Sequence, residues 1–396
     1  MKNTFATNVW KMYLVRMLFN MYFISAVIVP FYIEWGGIKF SQILFLNAWF
    51  MAWNFLTEIP TGTIADFLGR KVSIILGCFV GIFGIMVYVS YPNLIIFMVG
   101  EVLFGVSYTL LSGADEALIY DSLKETGQIQ LSKKIFSRME SFKLAGIVLG
   151  AVAGSFIAKK YGLRMTLTLQ VIPLAIAGCL ACTFKEPPIW EKKPALTFRS
   201  YKKILSDGVR FFTGHRVLKL LTLDMVVVNA FAWIIIFFYQ PLLKNVGVDI
   251  VYFGFVHAGM SLVEIIIINN FIRFEGWLGA KKRLLFFSAF ITGVAFIVLS
   301  FTHYLPLVAA AIILSAGFGL TRGPLFSSYM NKYIPSDKRA TVLSTTSMLR
   351  TLAIEVINTC SGLLAEWSIP YTLLILGIST VIFAFLSRIK EEHLID

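Results

Sequence analysis

The residues of this chain that could do chemistry are ionisable groups set inside long apolar stretches. Arg16, Glu58, Glu101, Asp115, Glu116 and Lys143 lie in the first half, and Asp224, His257, Glu264, Arg322, Arg350 and Glu355 in the second. Such groups are costly in a membrane and face a partner or an aqueous cavity. Desolvation disfavours the charged form of a carboxylate. A carboxylate near mid-membrane therefore becomes a group that binds and releases a proton. Glu264 is the first such candidate, with Asn269 and Asn270 on the same stretch, followed by Glu101, Glu58 and Glu355. The depths of Arg16 and Glu58 also suit a mutual ion pair. Asp115, Glu116, Asp121, Arg138, Glu140 and Lys143 read as a charge-paired inner gate. His257, alone on an apolar helix, reads as a hydrogen-bonded packing residue.

Substrate contact needs a different set. Trp53 and Asn54, with Trp49, and Asn229 and Trp233, with Tyr239 and Gln240, combine aromatic rings with amides. That mixture suits an amphipathic organic molecule. Arg16, Arg322 and Arg350 could neutralise a carboxylate or meet an anionic ligand. Nucleophile–base spacing, a phosphate-binding glycine loop and a His/Asp metal cluster do not occur in the loops, so neither an enzyme nor a cofactor is expected.

These residues have to be positioned by membrane helices. Of 396 residues, 58% are hydrophobic and 14% charged, whereas a soluble protein carries about 25% charged residues. A span needs about 20 apolar residues. The apolar runs predict helices over 9–33, 43–63, 71–91, 93–120, 139–159, 164–184, 216–240, 248–271, 282–302, 305–329, 340–364 and 369–388. Residues 1–186 form one six-helix half, 187–215 a basic, proline-containing cytoplasmic linker, and 216–396 the second half. The net charge of +13 is concentrated in the segments that this topology leaves on one side. That is the positive-inside signature, and it implies lipid rather than nucleic acid as the partner. It predicts a multi-pass protein of the cell membrane with both termini cytoplasmic and the first span retained. Cys78, Cys179, Cys182 and Cys360 all fall in apolar runs and read as packing residues.

One connection is highly specific. Gly62-Thr-Ile-Ala-Asp66-Phe-Leu-Gly69-Arg70-Lys71 joins the second and third runs. It resembles the signature loop of the major facilitator superfamily, G-x-x-x-D-x-x-G-R-[KR]. The resemblance implies an all-α integral membrane protein with twelve transmembrane helices in two six-helix halves. It implies that Asp66, interacting with Arg70 and with the start of helix 11, latches the cytoplasmic side. A second copy, Leu278-Gly279-Ala280-Lys281, lies 210 residues beyond Leu68-Gly69-Arg70-Lys71 and lacks the Arg, so the latch should be asymmetric. In helix 5, Gly146, Gly150 and Gly154 resemble the exporter-associated motif G-x-x-x-G-P-x-x-G, with Ala151 in place of the proline. They also suit close helix packing. At the helix 4 position where the family carries an Arg, this chain has Glu101.

The resulting expectation is a monomeric secondary transporter working by alternating access, exporting a small amphipathic organic compound with protons as coupling ion. The competing expectations are proton-coupled uptake of an organic anion and a non-transporting receptor or scaffold on the same fold.

Overall fold

The computed structural model describes residues 2–187, 206, 209–334 and 339–394, and every regular element among them is helical. Backbone polar groups in lipid must be satisfied within the segment, which makes the helix the solution for an apolar run of spanning length. In chain order, α1 is Lys2–Phe19, prolonged by the short apolar helix Ser25–Trp35. Then come α2 Phe40–Leu68, α3 Arg70–Tyr88, α4 Leu94–Thr126, α5 Ser132–Tyr161 and α6 Leu163–Cys182. The second six are α7 Arg216–Asn245, α8 Val251–Asn269, α9 Lys281–Phe301, α10 Leu305–Tyr333, α11 Arg339–Trp367 and α12 Ile369–Leu386. Among the described residues, ten of these helices are individually long and apolar enough to cross a bilayer. The expected linker, 187–215, lies mostly outside the described residues.

Contacts divide the described residues into two compact units. One comprises those of Met1–Ile38, Leu46–Phe198 and Ile250–Phe255, and the other those of Lys39–Phe45, Arg199–Asp249 and Val256–Asp396. Helix α5 begins at Ser132, earlier than the apolar pattern predicts. Its first turns, through Arg138, carry three cations beside Ile135 and Phe136, so hydropathy marks only the part of the helix that needs lipid.

Several spans are interrupted, and each interruption is satisfied locally. Helix α1 breaks between Phe19 and Ser25, where the Asn20 side chain donates to Arg16 O (2.9 Å) and Ser25 Oγ to Tyr22 O (2.8 Å). Against this break packs the glycine face of α5. A Cβ at Gly150 would sit 2.7 Å from Tyr22 N, and one at Gly146 or Gly154 would overlap the carbonyl of Met17 or Phe23 outright. Only hydrogen fits where two backbones approach this closely.

Gly154→Ala should therefore cost about 1–3 kcal/mol through overpacking. Gly62→Ala, with no atom within 4 Å of its Cβ position, should cost nothing on that account. Thermal unfolding of the purified variants decides, and equal apparent stability for both would refute the close seating of α1 on α5.

Candidate functional site

In each unit the fourth helix is broken, and a buried charge emerges just past the break. Helix α4 stops at Leu111 and restarts at Ala114 through Gly113, whose φ of +79° is open to glycine. The new first turn carries Asp115 and Glu116. A carboxylate is favoured at a helix N-terminus, and Asp115 Oδ1 accepts from Glu116 N at 2.6 Å. Arg16 of α1 completes the arrangement, with Nε 2.6 Å from Asp115 Oδ2 and its two terminal nitrogens 3.1 Å from Glu116 and 3.6 Å from Glu140. The expected Arg16–Glu58 pair is thus not what forms. Arg16 is taken by three carboxylates because the restart of α4 packs on α1, and Glu58 is exposed on α2. Lys143 pairs with Glu140 at 2.9 Å.

Helix α10 is interrupted at Thr321. Asn229 of α7 donates to Gly319 O and Leu320 O, 3.3 Å each, and so satisfies carbonyls that the break orphans. The next residue, Arg322, is 1% exposed. It pairs with Asp224 of α7, donates to Leu285 O (2.7 Å) and Ser288 Oγ, and lies over the Phe326 ring at 5.0 Å. Ser387 Oγ donates to the other Asp224 oxygen at 2.5 Å. Both Asn229 and Arg322, expected as substrate contacts, are committed to holding this break closed.

The signature loop is built around backbone. Gly69 (φ +97°, ψ 151°) and Gly279 (φ +72°, ψ 1°) both take positive φ, but only Gly279 is in the left-handed helical region, so the two copies turn differently. Glu186 accepts from Arg70 N (2.9 Å) and Lys71 N (2.7 Å), capping α3. Glu391 does the same for α9, from Lys281 N and Lys282 N at 2.8 Å each. The Arg70 guanidinium contacts Asp121 and donates to Ala117 O (3.0 Å), while Asp66 is exposed nearby. In the second unit Tyr329 donates to Glu275, and Lys281 Nζ to Leu394 O at 3.0 Å. Neither capping Glu was singled out from the sequence. The signal was present, since Phe184-Lys185-Glu186 and Ile389-Lys390-Glu391 follow the last helix of each half.

The mid-span candidates divide by environment. Glu101 accepts from Tyr32 Oη (2.9 Å) and Tyr88 Oη (2.8 Å), and the two hydroxyls touch. Phe31, Trp35 and Phe97 surround the tyrosines. Glu264 is half-buried in α8, and Asn269 and Asn270 bond to carbonyls of their own helix instead (2.9 and 2.8 Å). His257 Nδ1 lies 3.2 Å from Tyr239 Oη, as a packing histidine does. Trp53 stacks edge-on to Trp49 at 5.8 Å. Asn54 Oδ1, Trp233 Nε1 and Arg350 Nε are buried without a hydrogen-bond partner among the described residues. Both oxygens of Glu355 are sealed from solvent, with the Asn358 side chain, one turn on, beside them. Groups in this state are open to a ligand or a proton.

Removing one member of a buried ion pair strands the other and costs about 3–5 kcal/mol. Asp224→Asn and Arg322→Met should each lower the apparent unfolding temperature sharply, and Asp224→Leu with Arg322→Met should recover most of the loss. Wild-type stability in both single variants would show that the pair does not hold α7 to α10.

Comparison with known proteins places this geometry. The family model described as Major Facilitator Superfamily matches residues 12–357. The uncharacterized MFS-type transporter YxaM of Bacillus subtilis (strain 168) is 21% identical over 370 residues, 90% of each chain. The crystal structure of the nucleoside transporter NupG superposes with a TM-score of 0.81 at 13% identity, covering 98% of this chain and 100% of that one. A D-xylose-proton symporter superposes with 0.73 at 14% identity, covering 97% and 98%. The protein belongs to the Major Facilitator Superfamily and is a membrane transporter, not an enzyme.

Proposed function

We propose that this transporter carries a small amphipathic organic compound by alternating access and couples its movement to protons. The observation that carries the proposal is Glu355. It stands within a turn of the midpoint of α11, its carboxylate is closed off from water, and among the described residues the Asn358 amide is the polar group beside it. A buried carboxylate left so exposed to desolvation is relieved by a proton or by a donor on a ligand. Glu101, already held by two tyrosine hydroxyls, is the second proton site. Trp233 Nε1, near the middle of its helix and unpartnered among the described residues, supplies a polar contact for an amphipathic ligand. The likeness to a nucleoside transporter and a D-xylose-proton symporter is in keeping with a small polar organic cargo.

The glycine series of α5 resembles an exporter motif. The seating of α1 accounts for all three glycines by packing, so direction is assigned by transport itself. We place the protein in the cell membrane with both termini on the cytoplasmic side, following its basic segments. A single chain with two internally related halves supports a monomeric working unit. A second reading, uptake of an organic anion, is favoured by one observation, the buried and unpartnered Nε of Arg350.

The test is flux into proteoliposomes under an imposed proton gradient, across nucleosides, sugars and amphipathic amines and acids. The gradient should drive accumulation of a carried compound, and Glu355→Gln should uncouple the flux from it. Gradient-independent flux, unchanged by both Glu355→Gln and Glu101→Gln, would end the coupling proposal. Loss of binding in Arg350→Gln with coupling retained would select the anion reading.

A further inference from the structure

The connection between α8 and α9 contains a helix of its own, Phe271–Leu278. Phe271, Phe274 and Leu278 turn onto a hydrophobic core that also includes Leu284, Leu285 and Tyr329. The opposite side, residues 272, 273, 276 and 277, is exposed. Those four positions share one side of a helix with 3.6 residues per turn. Ile272 and Trp277 on it are each 85% exposed. A soluble loop has no reason to present an isoleucine and a tryptophan this way.

The first unit repeats the feature independently. Phe67, 87% exposed, stands 210 residues before Trp277, and each immediately precedes a Leu-Gly turn. Cations follow both: Arg70 and Lys71 in one case, Lys281, Lys282 and Arg283 in the other. Arg273, Lys282 and Arg283 are exposed. Arg273 also bonds Asn270 Oδ1 (3.1 Å) and Arg283 bonds Leu278 O (3.0 Å), which holds both side chains beside the helix.

Geometry restricts what can cover this face. Helix α8 ends at Asn269 and α9 begins at Lys281, and both are spans. The short helix is thus tethered at each end to a point where the chain enters the bilayer, and it can go no further than the plane of the headgroups. Amphipathic Trp at that level and flanking Lys/Arg are the composition of a membrane–water interface.

We propose that the helix Phe271–Leu278 lies in the membrane–water interface and that Trp277, with Arg273, Lys282 and Arg283, binds the headgroups of anionic phospholipid. Ile272 and the Trp277 ring enter the boundary between headgroups and acyl chains, and the three cations meet phosphate charge. Phe67, with Lys71 after it, is the corresponding but shorter anchor of the first unit. The proposal concerns the lipid-facing surface and is independent of cargo and coupling.

The test uses the full-length protein in nanodiscs of phosphatidylcholine with or without phosphatidylglycerol, the lipid being brominated either near the glycerol end or near the methyl end of its chains. Tryptophan emission is compared between wild type and Trp277→Phe, and the difference reports Trp277. We expect quenching from the glycerol-end bromines, little from the methyl-end ones, and stronger quenching when the brominated lipid is phosphatidylglycerol. A basic residue near an anionic surface contributes about fivefold in lipid preference, the equivalent of ~1 kcal/mol. Lys282→Gln should lower the phosphatidylglycerol preference by about that factor without moving the quenching depth. A Trp277 emission component that no brominated lipid quenches overturns the proposal, whether the residue then faces water, a protein partner or a second copy. Quenching that is equal in the two lipids and unaltered by Lys282→Gln overturns the anionic headgroup assignment.

Discussion

The architecture of each unit depends on how a broken fourth helix is closed. A break in a spanning helix exposes carbonyl and amide groups to a medium that cannot solvate them. In the first unit, the restart at Ala114 turns its N-terminus and the Asp115 carboxylate toward α1, where Arg16 meets them. In the second, Asn229 satisfies the two carbonyls before the break and Asp224 holds Arg322 immediately after it. The first and fourth helices of each unit are joined through these contacts. The glycine face of α5 then seats against the break of α1 as well.

The two closures use opposite arrangements of sign. In the first unit the cation is on the first helix and the anion on the fourth, while in the second the anion is on the first helix and the cation on the fourth. Coulomb attraction is indifferent to which helix supplies which charge, so either arrangement ties the same two elements. The surroundings differ, however. Arg16 faces three carboxylates, two of them half-exposed, and can exchange partners. Arg322 has one carboxylate, a hydroxyl and a carbonyl in a closed interior. A buried charge with a single counter-charge is strongly held by it because the alternative is an unpaired ion. The first closure therefore has alternative partners within reach of its cation, and the second ties its cation to a single carboxylate.

The class of fold was legible because lipid writes it directly into hydropathy: twelve apolar runs, a glycine-rich basic turn and its echo at an offset of 210 residues. The roles of single side chains were less so. Arg16 and Glu58 were matched by depth along their helices, which contains no information about rotation or about a break elsewhere. The kink at Gly113 is what delivers Asp115, and a glycine inside an apolar run signals this only weakly. Arg322 and Asn229 look like cavity residues in sequence because a polar group in a span is the same letter whether it meets cargo or a neighbouring helix. The tyrosines that hold Glu101 are lost among many aromatic residues, since nothing local marks Tyr32 and Tyr88 as its partners.

The second copy of the signature loop shows why its missing Arg is tolerated. A side-chain reading makes Ala280 a loss, and predicts that the loop at Gly279 is a degraded latch. What the two loops share is a positive-φ glycine and, at the start of the next helix, two successive amide groups aimed at a carboxylate: those of residues 70 and 71 at Glu186 in one unit, and those of 281 and 282, one position further on, at Glu391 in the other. Ala280 supplies neither of the two amides that Glu391 accepts from, so the side chain at 280 is free as far as the cap is concerned. The carboxylate compensates the positive end of α3 or α9 and ties the end of each unit to its third helix. Arg70 adds to this a side-chain link to Asp121 that Ala280 cannot make. The asymmetry between the loops is thus one of added side-chain contacts and of a cap displaced by one residue. A change at Arg70 acts on the link to α4 and leaves the cap of α3 intact.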